Sequence, residues 1–443
     1  MTTNQTFDVA VVGAGVFGAW TAYQLRRAGA DVVLVDAYGP GNSRASSGGE
    51  SRMIRMGYGP DQIYTRMAQR SLALWQQLFE QIDHTDISPR LFQPTGILWL
   101  ARESDPYCEA TVETLQRCQV RYERLERAEL LRRYPQLELG SSNAVTWGLL
   151  EPDSGVLMAR QAVQAVVAQA RTDGVVYVQE ATLPPESEKG EKEKGGTGKW
   201  KRNGAVARPR GPQPGSPAGV GRSGRASSGV DVDQDRDSKL KSLSTTSGRE
   251  IFANKFVFAC GPWLPKIFPA LLGQLIHVTR QEEFFFGAPA DEFSSRFSPA
   301  RMPAWIDFND LVYGIPNLDK RGFKIAIDAH GPPFDPDTGD RLVSPESLTA
   351  VRAYLARRMP LLANAPVTET RVCQYENTSN GDFLIDRHPA FENVWLVGGG
   401  SGHGFKHGPA VGEHVTALIS GNAKVEPRFA LATKERVPHR KVY

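Results

Sequence analysis

Glycines near the start of the chain have the spacing of a dinucleotide-binding turn. Gly13, Gly15 and Gly18 follow the short apolar run 9–12, and a second apolar run ends at Asp36. The first two glycines allow a tight turn and let the backbone approach a pyrophosphate, whereas the third lets a helix pack closely on the strand. Asp36 is a suitable acceptor for a ribose hydroxyl, and an acid there argues against a 2′-phosphate. The motif therefore predicts a site for NAD or FAD and does not separate the two.

Two arginines and a second glycine-containing turn are further candidate site residues. Arg52 and Arg55 lie in a polar, glycine-rich segment, which we expect to be a loop. They are either surface cations or ligands of a phosphate or carboxylate, which the arginine fork binds with two hydrogen bonds. Gly261 and Trp263 directly follow the apolar strand predicted at 255–259, where the backbone could approach a flat ligand.

A strand–helix–strand unit must position the first glycine turn. The run 9–12 is short and β-branched, which is typical of a strand buried on both faces. Ser154 is the predicted N-cap of a long helix that ends at Gly174, and the alternation over 277–327 predicts a sheet. Further helices are predicted at residues 19–28, 60–82, 121–134 and 344–358.

The positive charge of the chain is concentrated in one segment. The net charge is +3, and residues 184–250 hold 14 Lys or Arg against 9 Asp or Glu. The remaining chain is therefore slightly acidic, which argues against nucleic acid as the main partner. Residues 184–238 are rich in charge, Pro, Gly and Ser and poor in large apolar residues, so we expect a disordered basic insertion. The alternative is a docking segment for RNA, anionic lipid or an acidic partner.

Composition narrows the class and location of the protein. No run of 18 apolar residues occurs, and the N-terminus lacks a secretory pattern, so no membrane association and a cytoplasmic location are expected. The last three residues do not form a peroxisomal address. The four cysteines lack metal-ligand spacing and a disulfide pattern, so no metal is expected; they are Cys108, Cys118, Cys260 and Cys373.

Several motifs occur in a fixed order along the chain: DVAVVGAGVFG, GGESRMIRMGYG, EPDSGVL, ACGPW, VYGIP with GFKIAID, RVCQY and GGGSGHGFKHGPAVGE. Together they resemble the D-amino-acid oxidase-like superfamily of FAD-dependent oxidoreductases. Within it the chain is similar to the group of monomeric sarcosine, N-methyltryptophan and pipecolate oxidases. The resemblance implies FAD rather than NAD. It also implies an α/β fold in which a Rossmann-type FAD-binding domain is interleaved with a β-sheet-rich catalytic domain.

The resemblance implies roles for single residues. Lys324, eleven residues after the active-site Tyr313, is the implied lysine that activates oxygen; otherwise it is an exposed strand residue. Cys373 is the implied covalent link to the flavin; otherwise it is a small buried apolar residue. The implied catalytic residues are Lys324, Arg52 and Tyr313, and the implied substrate-binding residues are Arg55, Lys406 and Tyr375. Asp328 is a further predicted substrate-binding residue. The implied cofactor-binding residues are Gly13, Gly15, Gly18, Asp36, Ser51, Arg52, Gly261, Trp263, Cys373, Gly402 and Gly404.

The chain departs from the family pattern at two positions. Gly48 stands where the family usually has a histidine beside the flavin. Asp328, four residues after Lys324, replaces a histidine that touches the substrate, and in this respect the chain resembles fructosyl amino-acid oxidases. Asp328 is either a solvated acid at the end of a strand or an anion in the pocket that holds a polar or cationic part of the substrate. The identity of the amine stays open.

These implications predict an FAD-dependent oxidase of secondary amines, namely N-methyl, cyclic or sugar-modified amino acids. A hydride equivalent passes to FAD, O₂ becomes H₂O₂, and the imine hydrolyses. One alternative is an FAD amine dehydrogenase that uses a quinone or carrier protein. Another is a flavin-fold binding protein that docks RNA or a partner through the basic insertion. The expected partners are a small-molecule amine and O₂, and the expected state is a monomer.

The same reasoning divides the chain into interleaved domains. The FAD-binding domain is predicted to comprise residues 1–90, 150–183, 239–270 and 370–430. The substrate or catalytic domain is predicted at 91–149 and 271–369, with the disordered basic insertion at 184–238.

Overall fold

The computed structural model of the protein describes residues 5–82, 91–141, 144–185, 238–288 and 292–438. The predicted insertion lies outside the described residues, apart from 184, 185 and 238. Eighteen strands run through the described part: β1 Thr6–Val12, β2 Val32–Val35, β3 Arg52–Ile54, β4 Phe92–Gln93, β5 Ile97–Ala101, β6 Glu123–Glu126, β7 Trp147–Glu151, β8 Gly155–Leu157, β9 Val176–Val178, β10 Ser242–Ser244, β11 Glu250–Phe258, β12 Ile276–Phe286, β13 Ala304–Asp307, β14 Val312–Ile315, β15 Phe323–Ile327, β16 Val367–Thr378, β17 Leu384–Arg387 and β18 Val394–Gly398. Nine α-helices accompany them: α1 Val16–Arg27, α2 Gln62–Ile82, α3 Pro106–Arg117, α4 Arg127–Arg133, α5 Ala159–Thr172, α6 Leu264–Ile267, α7 Pro269–Leu272, α8 Pro345–Arg358 and α9 Gly408–Ile419.

A seven-stranded sheet carries the first glycine turn. Its order is β17-β18-β11-β1-β2-β9, with β10 paired to β11, and the five strands from β18 to β9 run parallel. Val9 and Val11 of β1 pack into one apolar core, whereas Ala10 and Val12 pack into another. Both faces of the strand are thus buried, as in a parallel sheet covered on two sides; on one side helix α1 packs on β1, β2 and β18, and α5 and α9 pack against α1.

An eight-stranded sheet forms the second layer. Its order is β16-β12-β15-β14-β13-β5-β7-β6, antiparallel throughout except for the pair β13 and β5. The long strands β12 and β16 pair from Ile276 opposite Thr378 to Phe286 opposite Val367. A small sheet, β3-β8-β4, completes the set. The α/β fold class with a Rossmann-type sheet and a β-rich second part is confirmed.

Three local predictions differ from the structure. Residues 121–134 are not one helix, because β6 precedes α4 there. Ser154 does not cap α5; its hydroxyl donates to Glu151, and β8 lies between Ser154 and the helix. The polar segment around Arg52 and Arg55 is not a surface loop, because β3 within it pairs with β8 and Ile54 is fully buried. In each case tertiary strand pairing overrides the local pattern.

Two boundaries of the proposed domain division fall inside strands of the structure. The proposed boundary at residue 370 falls inside β16, which pairs with β12 along its whole length. The boundary at residue 150 likewise falls inside β7. We keep the division as a proposal, and boundaries after Thr378 and Glu151 would respect the hydrogen bonding. None of the helices in the described ranges has the length and apolar character needed to cross a membrane.

Two glycines of the first turn offer a matched pair of substitutions. A Cβ on Gly18 would lie 1.8 Å from the Gly13 carbonyl oxygen, whereas a Cβ on Gly15 would meet Ser47 Oγ at an ordinary 3.5 Å. We expect Gly18→Ala to lower the unfolding free energy of the apoprotein by about 1–3 kcal/mol through overpacking. Gly15→Ala should leave it nearly unchanged and weaken cofactor binding instead. Denaturant unfolding and flavin titration measure both, and equal stability of the two variants would contradict the packing role of Gly18.

Candidate active site

The carboxyl ends of the parallel strands border a large opening, which we call the glycine cleft. It lies among the turn after β1, the end of β2, the turn after β11 and the glycine-rich segment after β18. Parallel sheets bind ligands at this edge. Nine predicted cofactor-binding residues line it: Gly13, Gly15, Asp36, Arg52, Gly261, Trp263, Cys373, Gly402 and Gly404. Gly18 instead packs against the Gly13 backbone. Ser51 lines a second, adjoining cavity rather than the cleft.

Asp36 is held in place by the backbone around it. Its carboxylate accepts hydrogen bonds from the N–H groups of Ala14 at 2.7 Å, Tyr38 at 2.8 Å and Gly39 at 2.7 Å. Burial raises the pKa of Asp36, and these three bonds oppose the rise. Oδ1 accepts two of these bonds and Oδ2 accepts one, so Oδ2 keeps a lone pair with which it can accept a ribose hydroxyl.

The walls of the glycine cleft fit a dinucleotide. Gly261 has a φ of +54°, and a Cβ added there would meet nothing within 4 Å, so the backbone borders open space. Helix α1 begins at the cleft, where its amides favour negative charge. An acid at the end of β2, a helix N-terminus and a bare backbone edge are the groups that an adenosine diphosphate half requires.

A second cavity, which we call the inner pocket, adjoins the glycine cleft. Five residues line both: Arg52, Tyr375, Ser401, Gly402 and Phe405. The predicted substrate-binding residues all line the inner pocket, namely Arg55, Lys406, Tyr375 and Asp328, and Tyr313 lines it as well. The fold thus brings together residues that lie far apart in sequence.

Arg55 is a buried cation in the inner pocket. It is 7% exposed, and its guanidinium carbon lies 4.3 Å from the Tyr58 ring centroid and 4.9 Å from that of Trp99. One of its nitrogens donates to the Gly57 carbonyl. The aromatic faces hold the planar fork in one orientation. Of the two alternatives for Arg55, the surface cation is therefore excluded.

Lys406 is tied to a group of buried polar rings. Its ammonium donates to Tyr58 Oη at 2.9 Å and to the His403 carbonyl at 3.0 Å. Tyr58 Oη in turn shares a hydrogen bond of 2.7 Å with His407 Nε2. Burial and the nearby Arg55 guanidinium lower the pKa of Lys406 well below its usual value. An anion bound in the pocket would raise this pKa again, because a nearby negative charge stabilises the ammonium form of Lys406.

Asp328 is a half-buried acid that lines the inner pocket rather than a fully solvated one. Its carboxylate accepts a hydrogen bond of 2.7 Å from the Tyr375 hydroxyl. Burial raises the pKa of Asp328 to about 6, although that bond and the cations Arg55 and Lys406 act in the opposite direction. The inner pocket therefore contains an acid, Asp328, as well as the two cations Arg55 and Lys406.

Arg52 and Cys373 meet where the two cavities join. Cys373 is 4% exposed, and its sulfur lies 3.2 Å from an Arg52 nitrogen. The same guanidinium donates to the Ser51 carbonyl at 2.8 Å and the Ser46 carbonyl at 3.0 Å. These bonds fix the position of Arg52. A side chain cannot fit at Gly48 on this backbone, because its Cβ would lie 1.8 Å from the Asn42 carbonyl oxygen.

Lys324 lies behind Arg52 and is 1% exposed, so it is not an exposed strand residue. Its ammonium donates to the Ser51 carbonyl at 3.3 Å and lies 3.1 Å from Glu283 Oε2. Glu283 Oε1 lies 3.1 Å from Arg52. Burial lowers the pKa of Lys324 to about 8, and Glu283 opposes this shift.

The sequence reasoning missed Glu283, Tyr58, His403 and His407. A usable signal for Glu283 was its position beside Phe284 in an apolar stretch, where a carboxylate is costly unless it is paired. The other three gave no such signal, because their hydrogen bonds join two segments that lie far apart in the sequence, Tyr58 in one and the two histidines in the other. Across the described ranges, no three His, Cys, Asp or Glu side chains cluster as a metal site.

Comparisons with known proteins agree with this geometry. The model of the family DAO, FAD dependent oxidoreductase, matches residues 8–207 and 221–418. The chain is 28% identical over 420 residues to a monomeric sarcosine oxidase of Bacillus sp. (strain NS-129), covering 94% of this chain and 93% of that protein. It is 25% identical over 437 residues to the N-methyl-L-tryptophan oxidase of Salmonella agona (strain SL483), covering 96% and 97%.

Solved structures show the same fold. The L-proline dehydrogenase of P. horikoshii superposes with a TM-score of 0.72 at 19% identity, covering 97% of this chain and 98% of the other. The family resemblance that the sequence motifs indicated is confirmed. Membership of this family implies FAD as the cofactor. The chain belongs to the DAO family of FAD dependent oxidoreductases.

Proposed function

We propose that the protein is an FAD-dependent oxidase of secondary amines that carry a carboxylate. One observation supports this most: the inner pocket, with Arg55 and Lys406 in its wall, shares five lining residues with the glycine cleft. A carboxylate bound by the two cations would leave the rest of a small amino acid beside that shared wall. This is where a flavin ring would lie if the cleft holds the remainder of FAD.

The residues of the chain would bind and orient the reactants. When bound, FAD accepts a hydride equivalent from the carbon next to the amine nitrogen and passes the electrons to O₂. Arg55, already oriented by two aromatic rings, would take the carboxylate with two hydrogen bonds. Lys406 would hold its proton once the anion arrives. Ile306 and Phe308 line the inner pocket and would exclude water there.

Asp328 supports a substrate with a polar or cationic part. It lines the same pocket as the two cations, and its carboxylate already accepts a hydrogen bond from the Tyr375 hydroxyl. Its oxygens could accept further hydrogen bonds from hydroxyl groups of a sugar-modified amine. N-methyl, cyclic and sugar-modified amino acids are therefore the three substrate classes that we propose.

A peroxide-coupled screen tests the proposed function. The purified flavoprotein is incubated in air with secondary amino acids of each class, and H₂O₂ is measured. We expect turnover with at least one class and none with the same amines lacking the carboxylate. Reduction of the flavin without peroxide, in the presence of an artificial acceptor, would instead support the dehydrogenase alternative.

Deleting residues 184–238 separates the oxidase from the binding-protein alternative. Retained turnover after the deletion supports the oxidase. Salt-dependent RNA binding that disappears with this segment, without turnover on any amine, would contradict the oxidase proposal.

We also propose that the protein is a monomer located in the cytoplasm. Light scattering would check the monomer, and cell fractionation would check the location.

We propose further that Cys373 binds FAD covalently. Cys373 lines the glycine cleft, and its sulfur lies 3.2 Å from an Arg52 nitrogen at the point where the flavin ring would meet the inner pocket. We expect wild-type flavin to remain with the acid-precipitated polypeptide and the flavin of Cys373→Ser to be released into the supernatant. Cys260 also lines the cleft, so Cys260→Ser is the matched control and should keep its flavin bound. Retention of flavin by Cys373→Ser would contradict the covalent proposal.

A further inference from the structure

Glu283 is a buried carboxylate between a buried cation, Lys324, and a half-buried one, Arg52. Its side chain is 3% exposed, with Arg52 at 3.1 Å from one oxygen and Lys324 at 3.1 Å from the other. Burying a carboxylate is costly, and a buried ion pair is weak support for stability by itself. A charge kept at this depth between two proposed active-site cations therefore calls for a functional explanation.

The strand register places Glu283 beside Lys324. Phe285 of β12 pairs with Lys324 of β15, so Glu283, two residues earlier on the same face, is the diagonal neighbour of the lysine. On its other side Glu283 pairs with Arg371 of β16. Burial alone would raise the pKa of Glu283, but Lys324, Arg52 and Arg371 hold it at about 2. The carboxylate is therefore charged at any pH at which the enzyme would work.

The surroundings of Lys324 otherwise disfavour its charge. Burial removes water, and Arg52 repels the ammonium. The ring of Tyr313 on β14 has its centroid 6.0 Å from Nζ, and that of Phe285 lies at 5.8 Å. Cys373 on β16 favours the charged lysine less than Glu283 does. Glu283 is thus the main group that keeps the lysine protonated.

We propose that Glu283 is a positioning residue for oxygen reduction, whose carboxylate keeps the Lys324 ammonium charged and holds it against the Ser51 carbonyl. The inference rests on the proposed oxidase function, in which Lys324 stabilises the negative charge that develops on O₂ as it takes electrons from the reduced cofactor. Glu283 is among the residues that line the inner pocket, but its carboxylate is engaged by Arg52 and Lys324. Its effect passes through the charge and position of Lys324.

The pH dependence of reoxidation tests this role. The holoenzyme is reduced with dithionite, mixed with O₂ and followed by flavin absorption, so no amine is needed. Wild-type reoxidation should slow as the pH rises through about 8. In Glu283→Gln the midpoint should fall by about one to three pH units, because the opposite charge is gone. Glu282→Gln is the control: this neighbouring carboxylate bonds to Arg280 and Ser344 instead and should leave the midpoint unchanged.

If Glu283→Gln does not fold, the conservative variant Glu283→Asp is used to measure the same pH midpoint of reoxidation. Its shorter carboxylate keeps the charge but lies farther from Lys324, so the midpoint should move in the same direction by a smaller amount. A midpoint that is the same in wild type, Glu283→Gln and Glu283→Asp overturns the inference. Missing amine turnover with normal reoxidation would instead contradict the proposed function and leave this inference standing.

Sulfite binding gives a second readout that involves no turnover. Sulfite binds oxidised flavins as an anion, so nearby positive charge strengthens its binding. If Glu283→Gln makes Lys324 neutral, the local net charge is unchanged, and the sulfite Kd, measured at a pH midway between the two reoxidation midpoints, should change by less than about threefold. If Lys324 stays protonated without Glu283, the site gains one positive charge. Binding tighter by about tenfold or more would then contradict the inference.

Discussion

Replacing Lys324 with methionine is expected to slow reoxidation of the reduced enzyme by O₂ by about two to three orders of magnitude. The ammonium is the buried cation that we propose for the developing negative charge on oxygen, and methionine fills a similar volume without charge. The pH dependence follows from the pKa of about 8. The charged form exists below that pH, so wild-type reoxidation should be fast below about pH 8 and slower above it, whereas Lys324→Met should show no such step.

Stopped-flow mixing of photoreduced enzyme with O₂ measures this effect, and an artificial acceptor supplies the comparison. Lys266→Met is the control, because Lys266 is a partly exposed lysine paired with Asp335 and Asp337. Loss of the O₂ reaction alone, with reduction by the amine and transfer to the acceptor retained, supports the oxidase. An unchanged O₂ rate in Lys324→Met would show that oxygen is not reduced at this cation.

Replacing Arg55 with methionine is expected to reduce kcat/KM for a carboxylate-bearing amine by about two to three orders of magnitude. The guanidinium is buried between the Tyr58 and Trp99 rings, so it meets the substrate without first losing conformational freedom. Arg55→Lys keeps the charge but loses the planar fork, so its kcat/KM should lie between those of wild type and Arg55→Met.

Steady-state kinetics and the binding of simple monocarboxylates to the oxidised enzyme measure this role. Carboxylate affinity should fall together with kcat/KM in Arg55→Met, while reoxidation by O₂ stays near the wild-type rate. Arg70→Met is the control, since Arg70 is an exposed arginine of α2 paired with Glu413. Unchanged carboxylate affinity in Arg55→Met would contradict the proposed anchor.

The two proposed half-reactions use different cations for a structural reason. Arg55 and Lys406 face the inner pocket together with Asp328, whereas Lys324 lies behind Arg52 and is paired with Glu283. Substitutions in one group should therefore leave the other half-reaction largely intact. A double-mutant cycle of Lys324→Met and Glu283→Gln should be strongly non-additive in the O₂ reaction, because Glu283 acts through Lys324.

Short-range patterns in the sequence were sufficient to predict the part of the fold that would bind the cofactor. The strand, glycine turn, helix and acid from β1 to Asp36 are contiguous, so their geometry follows from local backbone rules. The motifs around Arg52, Lys324, Cys373 and Lys406 indicated the family, which the comparisons confirm. The sequence could not separate NAD from FAD at the first turn, because both present the same adenosine diphosphate half.

By itself, then, the sequence determined the Rossmann-type unit, the family and a set of candidate residues. The tertiary structure decided which of them face one another. Glu283 meets Lys324 because of the register between β12 and β15, and Tyr58 meets Lys406 across 348 positions of sequence. Register and long-range packing depend on the burial of whole strands rather than on any local pattern. For that reason the charge balance at the site became visible only in the folded chain.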